Sequence, residues 1–240
     1  MINKKNIKLL LISVPLVLFV FSCKPMHQGK HLFILSGQSN MVRLDTDASF
    51  RPLIEAEFGT DHTIVVKDAM GSQSISRWYK YWKAPNGSIP ESRGDQYDRL
   101  MLKVNDAIKN QNIASITFIW MQGERDARMA FGAVYEKSLL GLYNQIGDDL
   151  KRTDVNFIIG RLSDFDMKNE KWPHWTMIRD IQMKVGASHP RFGWVNTDDL
   201  NDGFNALGKS IQNDLHMSVE GYKTLGKRFA EKAIQIINDN

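Results

Sequence analysis

The sequence predicts one α/β domain of three layers, in which helices cover both faces of a five-stranded parallel sheet. Short apolar segments alternate along the chain with longer segments of helical periodicity, and this alternation is typical of parallel βαβ units. The 240 residues are enough for one such domain with a complete core. No internal repeat, low-complexity tract or second domain is visible.

Five short segments are predicted strands because each is apolar and bounded by polar or turn-forming residues. The segments between them place leucine, methionine and valine at helical spacing, and Ser218 is a suitable cap for the last helix. Two further stretches, 80–95 and 198–213, are predicted loops that shape the site. The predicted strands are 31–36, 63–69, 115–121, 156–162 and 192–196, and the predicted helices are 96–110, 131–151, 175–185 and 218–237.

The first 22 residues have the layout of a secretory signal. Three lysines precede an apolar run, 9–21, that is too short to span a bilayer comfortably, and the small residue Ser22 follows it. The run ends in Val-Phe-Ser-Cys, which resembles a bacterial lipobox. We therefore expect cleavage before Cys23, a lipid on its sulfur and a tether at 23–30 that holds domain 31–240 to a membrane outside the cytoplasm. A plain signal peptide or an uncleaved anchor is the alternative.

The charge of the chain gives little support to a nucleic-acid partner. The net charge is +4, but the signal contains three lysines and no acid, so the remaining chain carries about +1. Lysine and arginine do not alternate with aromatic residues along any helix face. The single cysteine rules out a disulfide within the chain.

Four polar segments follow predicted strands or precede the last helix. The carboxyl ends of parallel strands meet at one edge of a sheet, where open α/β folds bind their ligands. We therefore expect the four segments to converge there. They are Gly-Gln-Ser-Asn at 37–40, Gly-Ser-Gln-Ser at 71–74, Gln-Gly-Glu-Arg-Asp at 122–126 and Asp-Leu-His at 214–216.

Ser39 and His216 are the best candidates for a nucleophile and its base. Nucleophilic catalysis by serine needs a base within hydrogen-bond reach and a group that orients the base. Of the six histidines, His216 alone combines the correct sheet edge with a nearby carboxylate. Ser39 lies in a predicted tight turn from strand to helix, where the preceding glycine, Gly37, relieves crowding. By itself, the Gly-Gln-Ser-Asn run favours a helix cap over a nucleophile.

Three longer runs carry a family resemblance. Residues 33–41 (FILSGQSNM), 120–127 (WMQGERDA) and 214–228 (DLHMSVEGYKTLGKR) resemble the carbohydrate esterases of the sialic acid-specific acetylesterase family. That family includes acetylxylan esterases and belongs to the SGNH hydrolases. Weaker similarities at 71–78 and 178–182 keep the expected order. The resemblance implies a flavodoxin-like fold of the SGNH type.

The resemblance also implies roles for individual residues. Ser39 matches the nucleophile and His216 matches the general base. The backbone amides of Ser39 and Gly71 match oxyanion donors, and Gln122 falls where many SGNH enzymes place an asparagine side chain for the same purpose. Loss of one such donor typically lowers the rate by ~10²–10³.

The acid that orients His216 is less well defined by the sequence. Many SGNH enzymes have an aspartate three residues before the histidine, where this chain has Asn213. Sialate-type relatives have the two-residue spacing of Asp214, which is therefore our choice. Glu124 in the Gln-Gly-Glu run is a rival, and a Ser–His dyad without an acid is a third option. Arg43 replaces a residue that is often small in relatives.

These residues together predict a serine esterase that removes O-acetyl groups from carbohydrate. We expect neither a cofactor nor a metal, since no Cys-x-x-Cys or His-Glu-x-x-His motif is present. One alternative is a non-catalytic glycan-binding lipoprotein on the same fold, and another is a lipid or aryl esterase of the same superfamily. The aromatic run 78–82 is about equally consistent with stacking on a sugar ring and with packing in the core.

Overall fold

The computed structural model describes residues 29–240. The predicted signal, the lipid site at Cys23 and most of the predicted tether lie outside the described residues. From residue 29 onward, every helix is too short or too polar to cross a bilayer.

A five-stranded, wholly parallel sheet forms the centre of the domain. Its spatial order is β2-β1-β3-β4-β5, which is the strand order of flavodoxin-like folds. The predicted fold class is therefore confirmed. The strands are β1 (Lys30–Gly37), β2 (Thr63–Ala69), β3 (Ile113–Met121), β4 (Asn156–Gly160) and β5 (Phe192–Val195).

The four long predicted helices are present, with ends within two residues of the predicted ones. The Ser218 side chain caps the last helix by accepting a hydrogen bond from the Gly221 amide at 3.0 Å. Three shorter helices escaped prediction because they span too few turns for a periodic pattern. The helices are α1 (Ser39–Arg43), α2 (Arg51–Phe58), α3 (Asp95–Ile108), α4 (Glu124–Arg128), α5 (Gly132–Leu150), α6 (Trp175–Gly186) and α7 (Val219–Asp239).

The predicted loop at 198–213 contains regular structure. Strands β6 (Gly203–Phe204) and β7 (Ser210–Ile211) pair as a small antiparallel hairpin. The hairpin was missed because its strands have only two residues each. It leads into the segment that carries His216.

Each face of the sheet has its own apolar core. Along β1, Leu32 and Ile34 pack into one core, and Phe33 and Leu35 pack into the other. All four side chains are fully buried, because helices cover both faces. This double burial explains why the strands are continuous apolar runs without polar alternation.

Candidate active site

The turn after β1 places Ser39 at the carboxyl edge of the sheet. Gly37 has φ +144°, and a Cβ at this position would lie 2.0 Å from the carbonyl oxygen of Met121. Only glycine permits this approach, and the Gln38 amide then donates to the same oxygen at 3.0 Å. The chain enters α1 at once, so that Ser39 is the first helical residue and is only partly buried.

Ser39 and His216 form the central pair of the site. His216 Nε2 lies 3.1 Å from Ser39 Oγ, which is hydrogen-bond distance for a nucleophile and its base. Burial lowers the pKa of His216, the positive charge of Arg43 lowers it further, and Asp214 opposes both effects. The ring is therefore neutral near pH 7 and able to accept the serine proton.

Asp214 contacts the backbone amide of His216 more closely than it contacts the His216 ring. Asp214 Oδ1 accepts a hydrogen bond from the His216 amide at 2.9 Å, whereas it lies 3.9 Å from His216 Nδ1. The second distance exceeds that of a hydrogen bond. Buried Asn201 holds the segment from the other side, since its side chain donates to the Asp214 carbonyl and its own carbonyl accepts from the Asp214 amide, both at 3.2 Å.

Glu124 contacts the neighbour of the nucleophile. Its Oε1 accepts a hydrogen bond from Asn40 Nδ2 at 2.7 Å, and Asn40 Oδ1 accepts one from the Tyr222 hydroxyl at 2.7 Å. Asn40 also donates to the carbonyl of Leu215 at 3.3 Å, which ties α1 to the residue before His216. Burial raises the pKa of Glu124 to about 7, and its Oε2 is buried with no hydrogen-bond partner.

Two backbone amides are available to bind an oxyanion. A Cβ placed on Gly71 would lie 3.8 Å from the Ser39 Cβ, so the residue after β2 adjoins the nucleophile. Within the described residues, the amides of Ser39 and Gly71 donate to no backbone or side-chain acceptor. Ser72 follows with φ 62°, a left-handed conformation that is unfavourable for a residue with a Cβ.

The structure does not support Gln122 as a third oxyanion donor. Its side chain is fully buried, and its Nε2 lies 2.5 Å from Asp126 Oδ2, 3.0 Å from the Gln73 carbonyl and 3.2 Å from Gln38 Oε1. These acceptors outnumber the two N–H groups of the amide. Gln122 therefore links the surrounding segments through hydrogen bonds, and its amide has no spare N–H group to donate to an oxyanion.

Asp126 organises the segment that carries Gly71, a role that the sequence did not reveal. Its carboxylate accepts hydrogen bonds from Ser74 Oγ and the Ile75 amide, both at 2.9 Å, as well as from Gln122. The side chain is fully buried, and burial raises its pKa to about 6. The Gln-Gly-Glu-Arg-Asp run contained this residue, but a buried acceptor cannot be told from a surface acid by pattern alone.

Two cavities are lined by chain neighbours of the site residues, one by residues that follow Gly71 and the other by residues that follow His216. The Gly71-side cavity, about 360 Å³, is mostly polar and is lined by residues that include Ser72, Gln73, Arg125 and Trp82. The His216-side cavity, about 320 Å³, is mostly apolar and is lined by Arg43, Asp45, Ala48, Ala206, Met217, Val219, Tyr222 and Lys223. Between residues 29 and 240, no three His, Cys, Asp or Glu side chains are grouped closely enough to hold a metal ion.

The aromatic run 78–82 is divided between the core and the surface. Trp78 and Trp82 are buried, and the Trp78 ring packs edge-on against Trp120 at 5.2 Å between centroids. Tyr79 is half-buried and Tyr81 is 72% exposed. Of the four rings, only Trp82 lines the Gly71-side cavity, so core packing accounts for most of the run.

Comparison with protein families gives one match. The family described as carbohydrate esterase, sialic acid-specific acetylesterase matches residues 43–235. The match covers most of the chain and includes Gly71, Glu124 and His216, while Ser39 lies four residues before it. A comparison with curated proteins finds no match.

Solved structures share the fold at low sequence identity. A protein from Arabidopsis thaliana superposes with a TM-score of 0.63 at 16% identity, over 86% of this chain and 98% of that one. A structure titled NanS gives 0.60 at 12% identity, over 88% and 99%. A carbohydrate acetylesterase from Xanthomonas citri gives 0.58 at 14% identity, over 87% of this chain and 57% of that one.

Proposed function

Because the chain belongs to the carbohydrate esterase family described as sialic acid-specific acetylesterase, we propose that it removes O-acetyl groups from carbohydrate through an acyl-enzyme on Ser39. The observation that carries the proposal is the 3.1 Å contact between Ser39 Oγ and His216 Nε2. The two free amides beside that contact supply the second requirement of acyl transfer, which is a site for the developing negative charge.

In the first half of the reaction, His216 Nε2 accepts the proton of Ser39 as its Oγ attacks the acetyl carbonyl. The carbonyl oxygen becomes negatively charged and is bound by the amides of Ser39 and Gly71. The tetrahedral intermediate then breaks its bond to the sugar oxygen. His216 gives its proton to that oxygen, the sugar alcohol leaves, and the acetyl group stays on Ser39.

In the second half, water attacks the acetyl-enzyme. His216 accepts a proton from the water, the same two amides bind the oxyanion, and the Ser39 oxygen leaves with the proton that His216 returns. Acetate is the second product. Each half of the reaction begins with a neutral His216, which its lowered pKa favours.

The test is acetate release by the purified chain. We expect turnover of p-nitrophenyl acetate and of one or more acetylated glycans from a panel of xylan, pectin-like glycan, sialic acid and peptidoglycan. Ser39→Ala should lower kcat by at least ~10³-fold. Ser188→Ala, an exposed serine beyond the end of α6, is the matched control and should leave the rate unchanged.

Two results would oppose the proposal. A folded wild-type chain that releases no acetate, or a Ser39→Ala variant that keeps full activity, would show that Ser39 is not an esterase nucleophile. Glycan binding that is unaffected by Ser39→Ala, without any turnover, would instead indicate a non-catalytic glycan-binding protein.

A second candidate is a lipid or aryl esterase of the same superfamily, which should prefer longer acyl chains. The mostly apolar lining of the His216-side cavity favours a substrate with more hydrocarbon than a sugar acetate, because burying hydrocarbon there lowers the free energy of binding. A series of p-nitrophenyl esters from acetate to octanoate separates the two candidates. A carbohydrate acetylesterase should lose activity steeply beyond acetate, whereas the second candidate should gain it.

The proposed lipid anchor at Cys23 suits an enzyme that acts away from the membrane. The tether would join the domain at Lys30, the first residue of β1, and Ser39 follows the opposite end of that strand. Eight strand residues span about 26 Å, so the site would face away from the lipid. Detergent phase partitioning of the wild type and Cys23→Ala in a bacterial host tests the anchor, which predicts that only the wild type enters the detergent phase.

A further inference from the structure

Exposed apolar side chains accompany the residues that line the His216-side cavity. Four large apolar side chains are open to solvent and either line this cavity or lie within two residues of one that does. They form an apolar rim, which consists of Val42, Phe204, Leu207 and Val219. Single exposed apolar side chains are ordinary, but a group of them beside an apolar cavity is typical of a surface that binds hydrocarbon.

Two rim side chains belong to the β6–β7 hairpin and have no role in the packing of the domain. Phe204 is 64% exposed and Leu207 is 92% exposed, and neither packs against the two apolar cores. Within the described residues, every hydrogen bond made by 203–211 joins two residues of the hairpin itself, such as that from the Asn205 amide to the Lys209 carbonyl at 2.9 Å. Folding of the core therefore does not explain why apolar residues stand on this hairpin.

The hairpin lies next to the segment that carries His216. A Cβ placed on Gly203 would lie 3.3 Å from the Cβ of Ser218, which is two residues after His216. Ala206, in the turn of the hairpin, lines the cavity. Arg43 also lines it, and its charge lowers the pKa of His216. The cavity and the rim thus adjoin the general base.

The polar groups of the cavity wall leave its apolar surface available. Lys223 is paired with the exposed Glu220 at 2.7 Å. Asp45 Oδ1 accepts a hydrogen bond from the Asp47 amide at 3.0 Å. The stem of Arg43 is itself hydrocarbon, since a long cationic side chain can cover apolar surface while its charged end stays in water.

The chemistry of the reaction relates this surface to one part of the substrate. His216 returns its proton to the oxygen of the leaving alcohol, so that oxygen must lie beside the His216 ring while its bond to the acetyl group breaks. The acetyl group stays on Ser39. A surface that adjoins His216 is therefore placed to contact the alcohol.

We propose that the His216-side cavity and the apolar rim bind an alkyl chain attached to the leaving sugar. The substrate class is then an acetylated sugar with an alkyl aglycone. This inference rests on the proposed esterase function, and it assigns the hydrocarbon to the alcohol instead of to the acyl group. An acyl-length series at constant alcohol does not test it, whereas an alcohol series at constant acetyl group does.

The test uses three esters with the same acetyl group. Ethyl acetate and hexyl acetate release alcohols of nearly equal acidity, so they differ mainly in hydrocarbon, and benzyl acetate carries an aromatic ring instead of the chain. Rates are measured at pH 8, where His216 is neutral. We expect the kcat/KM of wild type to be about tenfold higher for hexyl acetate than for ethyl acetate, mainly through KM, because each methylene removed from water favours binding. Benzyl acetate should lie between the two.

Variants of the rim test whether the preference arises there. Phe204→Ser and Leu207→Ser should each lower the preference for hexyl acetate by about threefold, mainly by raising the KM of that ester. Both side chains lie outside the cores, so urea denaturation should show unchanged stability. Leu102→Ser is the matched control, since Leu102 is 72% exposed on α3 and does not line the cavity, and it should keep the full preference.

The outcomes separate the two levels of the argument. If folded wild type hydrolyses neither these esters nor p-nitrophenyl acetate, the proposed function fails. If it hydrolyses p-nitrophenyl acetate but does not prefer hexyl acetate, or if the rim variants keep the preference as fully as Leu102→Ser, the esterase stands and the alkyl site is wrong.

Two further results bear on the occupant of the site. A higher kcat/KM for benzyl acetate than for hexyl acetate would overturn the alkyl chain in favour of an aryl group. Acetylated hexyl and methyl glycosides of the sugar that wild type deacetylates fastest should follow the order of the simple acetates, and equal rates for the two glycosides would overturn the inference.

Discussion

The acids near the active site belong to two regions with opposite properties. On α4, Glu124 and Asp126 are buried and both have raised pKa values. On the loop before α7, the Asp214 side chain is 43% exposed. The α4 acids contact α1 and the segment that carries Gly71, whereas Asp214 contacts the backbone of the residue that it was predicted to orient.

This difference separates two ways of supporting catalysis. Buried acceptors on α4 fix the positions of the oxyanion segment and of the helix that begins at Ser39, at a cost in desolvation. The exposed acid can stabilise an imidazolium only through screened electrostatics and by holding its own loop. We therefore expect the α4 acids to dominate folding stability and Asp214 to have a modest effect on the rate.

The largest effect is expected at Asp126. Asp126→Ala orphans two donors, the Ile75 amide and Ser74 Oγ, whereas Gln122 Nε2 keeps its contacts with the Gln73 carbonyl and Gln38 Oε1. Since each orphaned buried donor costs about 1–3 kcal/mol, we expect the free energy of unfolding to fall by about 4 kcal/mol, as measured by urea denaturation. The segment that carries the Gly71 amide should also shift, so we expect the folded fraction of the variant to have a lower kcat.

Ser74→Ala is the matched control, because it removes one donor and leaves the acceptor in place. It should cost about 1 kcal/mol or less. A loss below 1 kcal/mol for Asp126→Ala as well would mean that the α4 acid does not hold the Gly71 segment, and the contrast between the two regions would disappear.

Glu124 should make stability depend on pH. Its pKa is raised from 4.5 to about 7 in the folded state, so between these values the folded chain holds a proton that the unfolded chain has lost. Stability therefore falls as pH rises through this window and stays lower above it. Glu124→Gln removes the titration, and from pH 5 to pH 8 it should gain up to about 3 kcal/mol relative to wild type.

Urea denaturation of both proteins at pH 5 and pH 8 measures this difference. Glu136→Gln, on the exposed side of α5 and paired with Lys184, is the control and should follow wild type at both values. Parallel behaviour of Glu124→Gln and wild type would show that Glu124 is ionised in the folded state at pH 5, contrary to the effect of its burial.

Much of the fold and of the central pair could be predicted because both depend on local patterns. Continuous apolar strands and helical periodicity gave the five-stranded sheet, and the positions of segments after the strands brought Ser39 and His216 to one edge. The turn at Gly37 was also expected, since a tight strand-to-helix turn requires glycine.

The functions of the buried polar side chains could not be predicted in the same way. Gln122 and Asp126 are four residues apart in one polar run, and only the structure shows that they bond to each other and to the segment after β2. Similarly, Glu124 reaches Asn40 across 84 residues of sequence. Hydrogen-bond partners of this kind depend on distances in the folded chain, and a sequence pattern does not contain those distances.

The smallest effect, and the sharpest test of the comparison, concerns Asp214. Asp214→Asn removes the charge but keeps an oxygen for the His216 amide, so we expect kcat/KM to fall by about tenfold or less. An acid that bonds directly to the histidine ring typically costs ~10⁴ when replaced by asparagine. Because the Asp214 charge raises the pKa of His216, its loss should also move the acid limb of the pH–rate profile to lower pH.

Asp214→Ala removes the acceptor as well and should be slower than Asp214→Asn, because the His216 backbone then loses its 2.9 Å contact. Asp61→Asn, an exposed aspartate in the turn before β2, controls for the charge change alone. A 10⁴-fold loss in Asp214→Asn would mean that the carboxylate closes the 3.9 Å gap to the ring during turnover. In that case the exposed acid acts as a full triad member, and exposure in the free enzyme is a poor guide to its contribution.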